Sequence, residues 1–97
     1  MDLRQLRAVE AVARLSHFTR AAEELHVAQS ALSHQISQIE RELGTPLFER
    51  TSRRVRATEA GTVIARRARR VIAELDRAAA EIDELRGLRR GRVRIGA

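Results

Sequence analysis

A chain of 97 residues with 43% hydrophobic content has room for one small domain and one appended element. It has no cysteine, which excludes disulfides and thiolate metal sites, and no apolar run long enough to span a bilayer. The formal net charge is +6 and every one of the 19 basic residues is arginine, which points toward an anionic partner.

Arginine makes bidentate hydrogen bonds to phosphates and guanine edges that lysine does not copy, although a lysine-free composition equally fits a GC-rich coding bias. The placement of charge says more than its sum. Between Arg50 and Arg70 stand eight arginines and one acid, Glu59. Between Val71 and Arg86 five acids face two arginines. One part of the molecule is thus built to meet a polyanion and another is not. The opening Met1-Asp2-Leu3-Arg4 lacks the apolar segment of a signal peptide, so a cytoplasmic, non-membrane protein is the expectation.

Asp2 caps a first helix, and Gln5 completes a capping box. Leu3, Leu6, Val9 and Ala13 give that helix an apolar face at helical spacing. Ser16-His17 interrupts. A short second helix then spans Phe18 to Leu25, burying Phe18, Ala21, Ala22 and Leu25. A third begins near Gln29, with Leu32, Ile36, Ile39 and Leu43 inward; Gly44 ends it and Pro46 prevents its resumption. Leu47–Arg50 and Val55–Ala57 are two short strands around Thr51-Ser52-Arg53-Arg54, a small basic hairpin. Thr58 caps a long helix from Glu59 to about Arg86, about 42 Å at 1.5 Å per residue. Ile64, Ala68, Val71, Leu75, Ala78, Ile82 and Leu85 alternate spacings of four and three, the seam of a helix pair. A helix lying on its own core is the alternative, but one this long overshoots three short helices, so much of the seam calls for a second chain. Arg92–Ala97 alternates polar and apolar like the first strand of a sheet that the chain does not contain. The divisions are therefore 1–58, a mainly α winged helix-turn-helix with the helix-turn-helix at about 18–38; 59–87, a linker and dimerisation helix; and 88–97, a hinge and opening strand.

The stretch from Phe18 to Gln38 carries the function. A helix-turn-helix needs a small residue at the helix crossing, a turn that tolerates positive φ, and apolar residues that lock the second helix. Ala22, His26 and the trio Val27, Leu32 and Ile36 fill these places. Helix geometry then sends Ser30, His34, Ser37 and Arg41 outward, with Ser33 at the flank and Gln29 at the N-terminus. Such a surface suits base edges in a major groove, where glutamine pairs bidentately with adenine. Arg53 and Arg54 belong at the wing tip, where they would enter a minor groove. Arg50 and Arg56 serve phosphates or the wing's own packing, two readings the residues leave open. Arg66, Arg67, Arg69 and Arg70 lie off the seam, where a solvated face is the better reading than contact with a DNA backbone.

Rival classes explain less. His17, His26 and His34 are the only histidines, and Ser30 with His34 lacks a pocket or an orienting carboxylate, so neither catalytic nor metal-binding residues are assigned. A pure oligomerisation module leaves the helix-turn-helix and basic hairpin without a purpose. Membrane binding through Arg66–Arg70 leaves the adjoining seam unexplained.

Met1–Arg7, Phe18-Thr19-Arg20-Ala21-Ala22, Leu25–Ser33, Leu43-Gly44, Leu47-Phe48-Glu49-Arg50 and Thr58-Glu59-Ala60-Gly61 together resemble the N-terminal domain of LysR-type transcriptional regulators across nearly the whole chain. The resemblance implies DNA contacts from Gln29, Ser30, Ser33 and His34 on the recognition helix, from Arg53 and Arg54 on the wing, and from Thr19 to a phosphate. It implies a homodimer on interrupted inverted repeats of double-stranded DNA, tetramers at full length, and RNA polymerase as a candidate further partner. It implies no cofactor in this chain, but a small-molecule effector held by a C-terminal domain. Two departures stand out. Ala28 replaces a common serine and cannot cap, a loss of ~1 kcal/mol. His34 replaces a common arginine, which makes contact there weaker.

Overall fold

The computed structural model describes residues 1–51 and 54–91. Four helices and one hairpin follow in the order α1 (Leu3–Leu15), α2 (Phe18–Leu25), α3 (Gln29–Leu43), β1 (Phe48–Arg50), β2 (Val55–Ala57) and α4 (Glu59–Gly91). The capping box on α1 is formed: the Gln5 N–H donates to Asp2 Oδ1 at 2.9 Å, and the Asp2 N–H donates to Gln5 Oε1 at 3.0 Å. Among the described residues, two that are not glycine adopt the left-handed conformation, Ser16 and His26, each closing a helix. The His26 turn is where positive φ was expected; the Ser16 turn was not foreseen, because serine carries no marked preference for that region.

α1 is the centre of the core and touches α2, α3 and α4. Its buried residues are Ala8, Val9, Ala11 and Val12 rather than the expected line of Leu3, Leu6, Val9 and Ala13. Leu3 is exposed, and Leu6 and Ala13 are half-buried. A helix covered from several sides buries a wide face, and small side chains let the neighbouring backbones approach. Leu32, Ile36 and Ile39 of α3 are fully buried against it, while Leu43 at the helix end is exposed. Val27 is also exposed, so it does not lock the turn with its side chain. Its N–H does so instead, donating to the Ala22 carbonyl at 3.0 Å.

β1 and β2 pair antiparallel, with Phe48 opposite Ala57, Glu49 opposite Arg56 and Arg50 opposite Val55. Leu47 precedes β1 rather than belonging to it, and its side chain is fully buried. Glu40, half-buried on α3, holds this corner: its Oε2 accepts from the N–H groups of Leu47 at 2.8 Å and Phe48 at 3.3 Å. The start of α4 is fastened at the same place. The Thr58 N–H donates to the Leu47 carbonyl at 2.9 Å, the Thr58 hydroxyl donates to the Pro46 carbonyl at 2.7 Å, and the Gly61 N–H donates to Thr58 Oγ1 at 3.0 Å. Glycine is required at 61 because a Cβ there would stand 2.0 Å from the Leu47 carbonyl oxygen.

α4 runs five residues past the expected end, so 88–91 are helix rather than hinge; its 33 residues span about 50 Å. Its first turns cover α1, and Ala65 and Ala68 are buried there with Ile64 packed beside them. Of the residues expected in the dimer seam, Ala68 is fully buried on the chain's own domain and Ile64 is half-buried. From Val71 onward the apolar residues Leu75, Ile82, Leu85 and Leu88 are exposed. The molecule measures 58 × 24 × 18 Å, elongated because this half of the helix leaves the core behind. The strand expected at 92–97 lies outside the described residues.

Candidate nucleic-acid interface

α2 packs against α3, Ala21 and Ala22 of α2 are buried in the shared core, and the start of α3 stands beside the first turn of α2, where Gln29 meets Thr19. α3 begins at Gln29 after Ala28, which has extended backbone and no side-chain hydrogen bond to the helix. The first-turn N–H groups of α3 therefore carry no side-chain cap, and they and the helix dipole form a positive end. α2 is capped by His17, whose Nδ1 accepts from the Arg20 N–H at 3.1 Å. Sequence preference for Ser, Thr, Asp or Asn at such positions had pointed away from histidine.

The wing joins this end through aromatic contacts. The rings of Phe18 and Phe48 meet edge to face, with centroids 6.3 Å apart, and the Arg50 guanidinium lies 4.2 Å from the Phe18 ring centroid. Of the two roles left open for Arg50, packing of the wing on α2 is therefore the one formed. Arg56 is exposed opposite Glu49 in the hairpin. The hairpin closes where the Thr51 N–H donates to the Arg54 carbonyl at 2.9 Å and the Arg54 N–H donates to Thr51 Oγ1 at 3.0 Å. Arg53, expected at the tip, lies outside the described residues.

These elements enclose an open cleft of about 270 Å³ between the start of α2, the start of α3 and the wing. Ser16, His17, Phe18, Thr19, Gln29, Ser33, Arg50, Thr51, Arg54 and Val55 line it, and no acidic residue does. Four residues singled out from sequence thus come together: Thr19, Gln29, Ser33 and Arg54. Ser30 and His34 are exposed on α3 outside the cleft, and the half-buried Ser37 and the exposed Arg41 continue the helix beyond it. Thr19 and Gln29 are directly bonded, the Thr19 hydroxyl donating to Gln29 Oε1 at 2.9 Å. Nothing in the sequence announced this bond, since the residues are ten apart on different helices.

Outside the cleft, ion pairs link the helices. Arg14 pairs with Glu10 at 2.9 Å and with Glu24, joining α1 to α2, and Arg69 of α4 approaches Glu10 at 3.9 Å. The Arg14 guanidinium hydrogen-bonded to Glu24 holds that carboxyl below its usual range. Arg66, Arg67 and Arg70 are exposed on α4. Among the described residues no group of three metal-ligating side chains occurs, and no helix is long and apolar enough to cross a membrane.

Three helices, a left-handed turn at His26, a two-stranded wing and a long following helix define a winged helix-turn-helix. The family described as "Bacterial regulatory helix-turn-helix protein, lysR family" matches residues 3–62. The chain is 45% identical over 95 residues to the RuBisCO operon transcriptional regulator of Allochromatium vinosum, covering 98% of this chain and 32% of that protein. It is 47% identical over 91 residues to the HTH-type transcriptional regulator BudR of Klebsiella aerogenes, covering 94% and 62%. The chain thus spans about a third of the first relative's length and about three fifths of the second's. Among solved structures, the BenM DNA-binding domain with catB site 1 DNA superposes with a TM-score of 0.82 at 38% identity, covering 88% of this chain and 94% of that one. The CbnR DNA-binding domain in its DNA complex gives 0.78 at 33% identity, covering 88% and 98%. The chain belongs to the LysR family and is its DNA-binding domain type, with the long helix included. The family and these relatives are transcriptional regulators, not enzymes.

Proposed function

We propose that this chain binds double-stranded DNA with sequence preference, as a homodimer that sets α3 in the major groove and the wing in the adjacent minor groove of an inverted repeat. The observation that carries the reading is the acid-free cleft in which the positive end of α3 adjoins Thr19, Gln29, Ser33 and Arg54. Phosphates are drawn to uncapped N–H groups at a helix start, and polar side chains on the first turns of the recognition helix reach base edges. Ser30 and His34, exposed one turn apart on α3, extend that reading surface, and Arg53 and Arg54 serve the minor groove. The neighbours solved with DNA, BenM and CbnR domains, share the fold over 88% of this chain, which supports the same mode of use.

Dimerisation follows from the outer half of α4. Val71, Leu75, Ile82 and Leu85, together with Ala78, form an apolar seam that is exposed among the described residues. Pairing two such helices buries it and fixes the separation of the two recognition helices, which matches half-site spacing. In the longer protein, a small-molecule effector bound by a C-terminal domain adjusts this arrangement, and transcription, through RNA polymerase, is the output.

Selection of binding sites from random duplexes tests the proposal. The expected result is two inverted half-sites at fixed spacing, each bound roughly a thousandfold or more tighter than random DNA. Equal binding to selected and shuffled duplexes at every ionic strength would refute it.

A further inference from the structure

A glutamine carboxamide has a donor end and an acceptor end, and its terminal torsion has broad, roughly two-fold wells. Free at the start of an exposed helix, the Gln29 carboxamide could turn to present its donor and acceptor to a base in either order, and a group that turns freely discriminates poorly between base edges. In the structure one end is already assigned: the Thr19 hydroxyl donates to Gln29 Oε1, and Thr19 sits on α2, which packs against α3. We propose that Thr19 is a specificity-determining positioning residue, which fixes the Gln29 carboxamide so that its amide protons are the group offered to an acceptor on a major-groove base edge, such as purine N7. This rests on the proposed reading of DNA by α3 and adds to it the residue that sets the donor direction.

A threonine hydroxyl has one proton. A phosphate oxygen has none to give, so a Thr19–phosphate hydrogen bond requires the same proton that Gln29 Oε1 now receives. With Gln29 Oε1 as the acceptor, the two roles of Thr19, phosphate contact and this orientation of Gln29, exclude each other at any one moment, and they leave different signatures. A phosphate contact adds affinity without regard to sequence and is lost with counterion release. An orienting bond acts only on the base pair that Gln29 reads. Water competes for the Thr19–Gln29 bond in the free protein; exclusion of water at a DNA interface strengthens it where it matters. A side chain held in its bound orientation beforehand also loses less freedom on binding.

The test uses the 97-residue chain and its selected site. Dissociation constants are measured on the selected duplex, on duplexes carrying each alternative at the base pair whose preference Gln29→Ala abolishes, and on a shuffled duplex across a salt series. Thr19→Val and Thr19→Ala should each reduce discrimination at that base pair by roughly threefold to tenfold, the worth of one neutral hydrogen bond. Thr19→Ser should retain it, and Thr19→Val combined with Gln29→Ala should lose no more than Gln29→Ala alone. Thermal melts accompany each variant; should Thr19→Val not fold, the comparison of Thr19→Ala with Thr19→Ser decides. Intact discrimination in both the valine and alanine variants overturns the proposal. So does an equal loss on selected and shuffled duplexes with a shallower salt slope, which would make Thr19 a phosphate contact. If the unaltered chain does not distinguish selected from shuffled DNA, the DNA-reading function itself fails, a result separate from either of these.

Discussion

The two halves of α4 carry one heptad repeat and meet opposite fates. In the first half, Gly61, Ala65 and Ala68 are buried on the chain's own domain. In the second, Leu75, Ile82 and Leu85 stand in solvent, Leu85 with 57% of its surface exposed. Periodicity marks which side of a helix is apolar and says nothing of what covers it. Residue size carries that missing information. Where α4 lies on α1 and on the Leu47 carbonyl, the fully covered positions are small, with Ile64 packed at their edge; farther out, Leu75, Ile82 and Leu85 stay exposed among the described residues, suited to knobs-into-holes contact with another helix.

The contrast is open to attack from both ends. The largest effect is expected from Gly61→Ala, because the new methyl group collides with a backbone carbonyl oxygen at 2.0 Å that has no side-chain freedom to yield. A loss of about 3 kcal/mol is expected, at the upper end for overpacking, read as a lowered denaturant midpoint; an unchanged midpoint would mean that α4 does not seat against Leu47. Next comes Glu40→Ala, which strips the acceptor from the Leu47 and Phe48 N–H groups and loosens the corner on which the first half of α4 rests. About 2 kcal/mol should go, as for hydrogen bonds to a charged group, with Glu40→Gln losing less.

Leu75→Arg acts on the other half. It should leave the stability of the single chain nearly unaltered at high dilution and weaken self-association at least tenfold, about 1.4 kcal/mol, by sedimentation equilibrium. An intact dimer would show that the outer seam is not the interface. The smallest effect is a pH dependence in the anchored domain. Hydrogen bonding to Arg14 depresses the Glu24 carboxyl in the folded state. Such a group contributes stability that is complete above the ordinary carboxylate value and is lost as pH falls through the depressed one. Glu24→Gln should therefore flatten the acid limb of the melting-temperature profile slightly, while leaving it unchanged near neutral pH. A profile identical to that of the parent chain in acid would remove this pair from the account.

Much of the fold was legible because local rules sufficed. The capping box of Asp2 and Gln5, the glycine at 44 and the threonine at 58 are short-range signals, and all three do in the structure what their spacing implied. The left-handed turn at His26 and the small residue at 22 announced the helix-turn-helix in the same way. Legibility failed where an outcome depended on several elements at once. The apolar line drawn along α1 was too narrow, since three helices share that surface. Val27 was taken for a packing residue and serves through its backbone. Nothing in the sequence marks Glu40 out; only the approach of the chain after Pro46 turns its carboxylate into an anchor for two N–H groups.

The candidate site divides along the same line. Gln29, Ser30, Ser33 and His34 could be placed on one helix by counting, because helical geometry repeats from residue to residue. That Arg50 would lie on Phe18, and Thr19 against Gln29, could not be counted, since each pair joins elements whose relative position no local rule determines. Sequence alone settled the order of the helices, the caps at Asp2, Gly44 and Thr58, the turn at His26 and the family to which the chain belongs, all read from neighbours along the backbone. Tertiary structure alone decided which apolar residues are spent inside and which are left for a partner, because burial is a property of the assembled surfaces and not of any one helix.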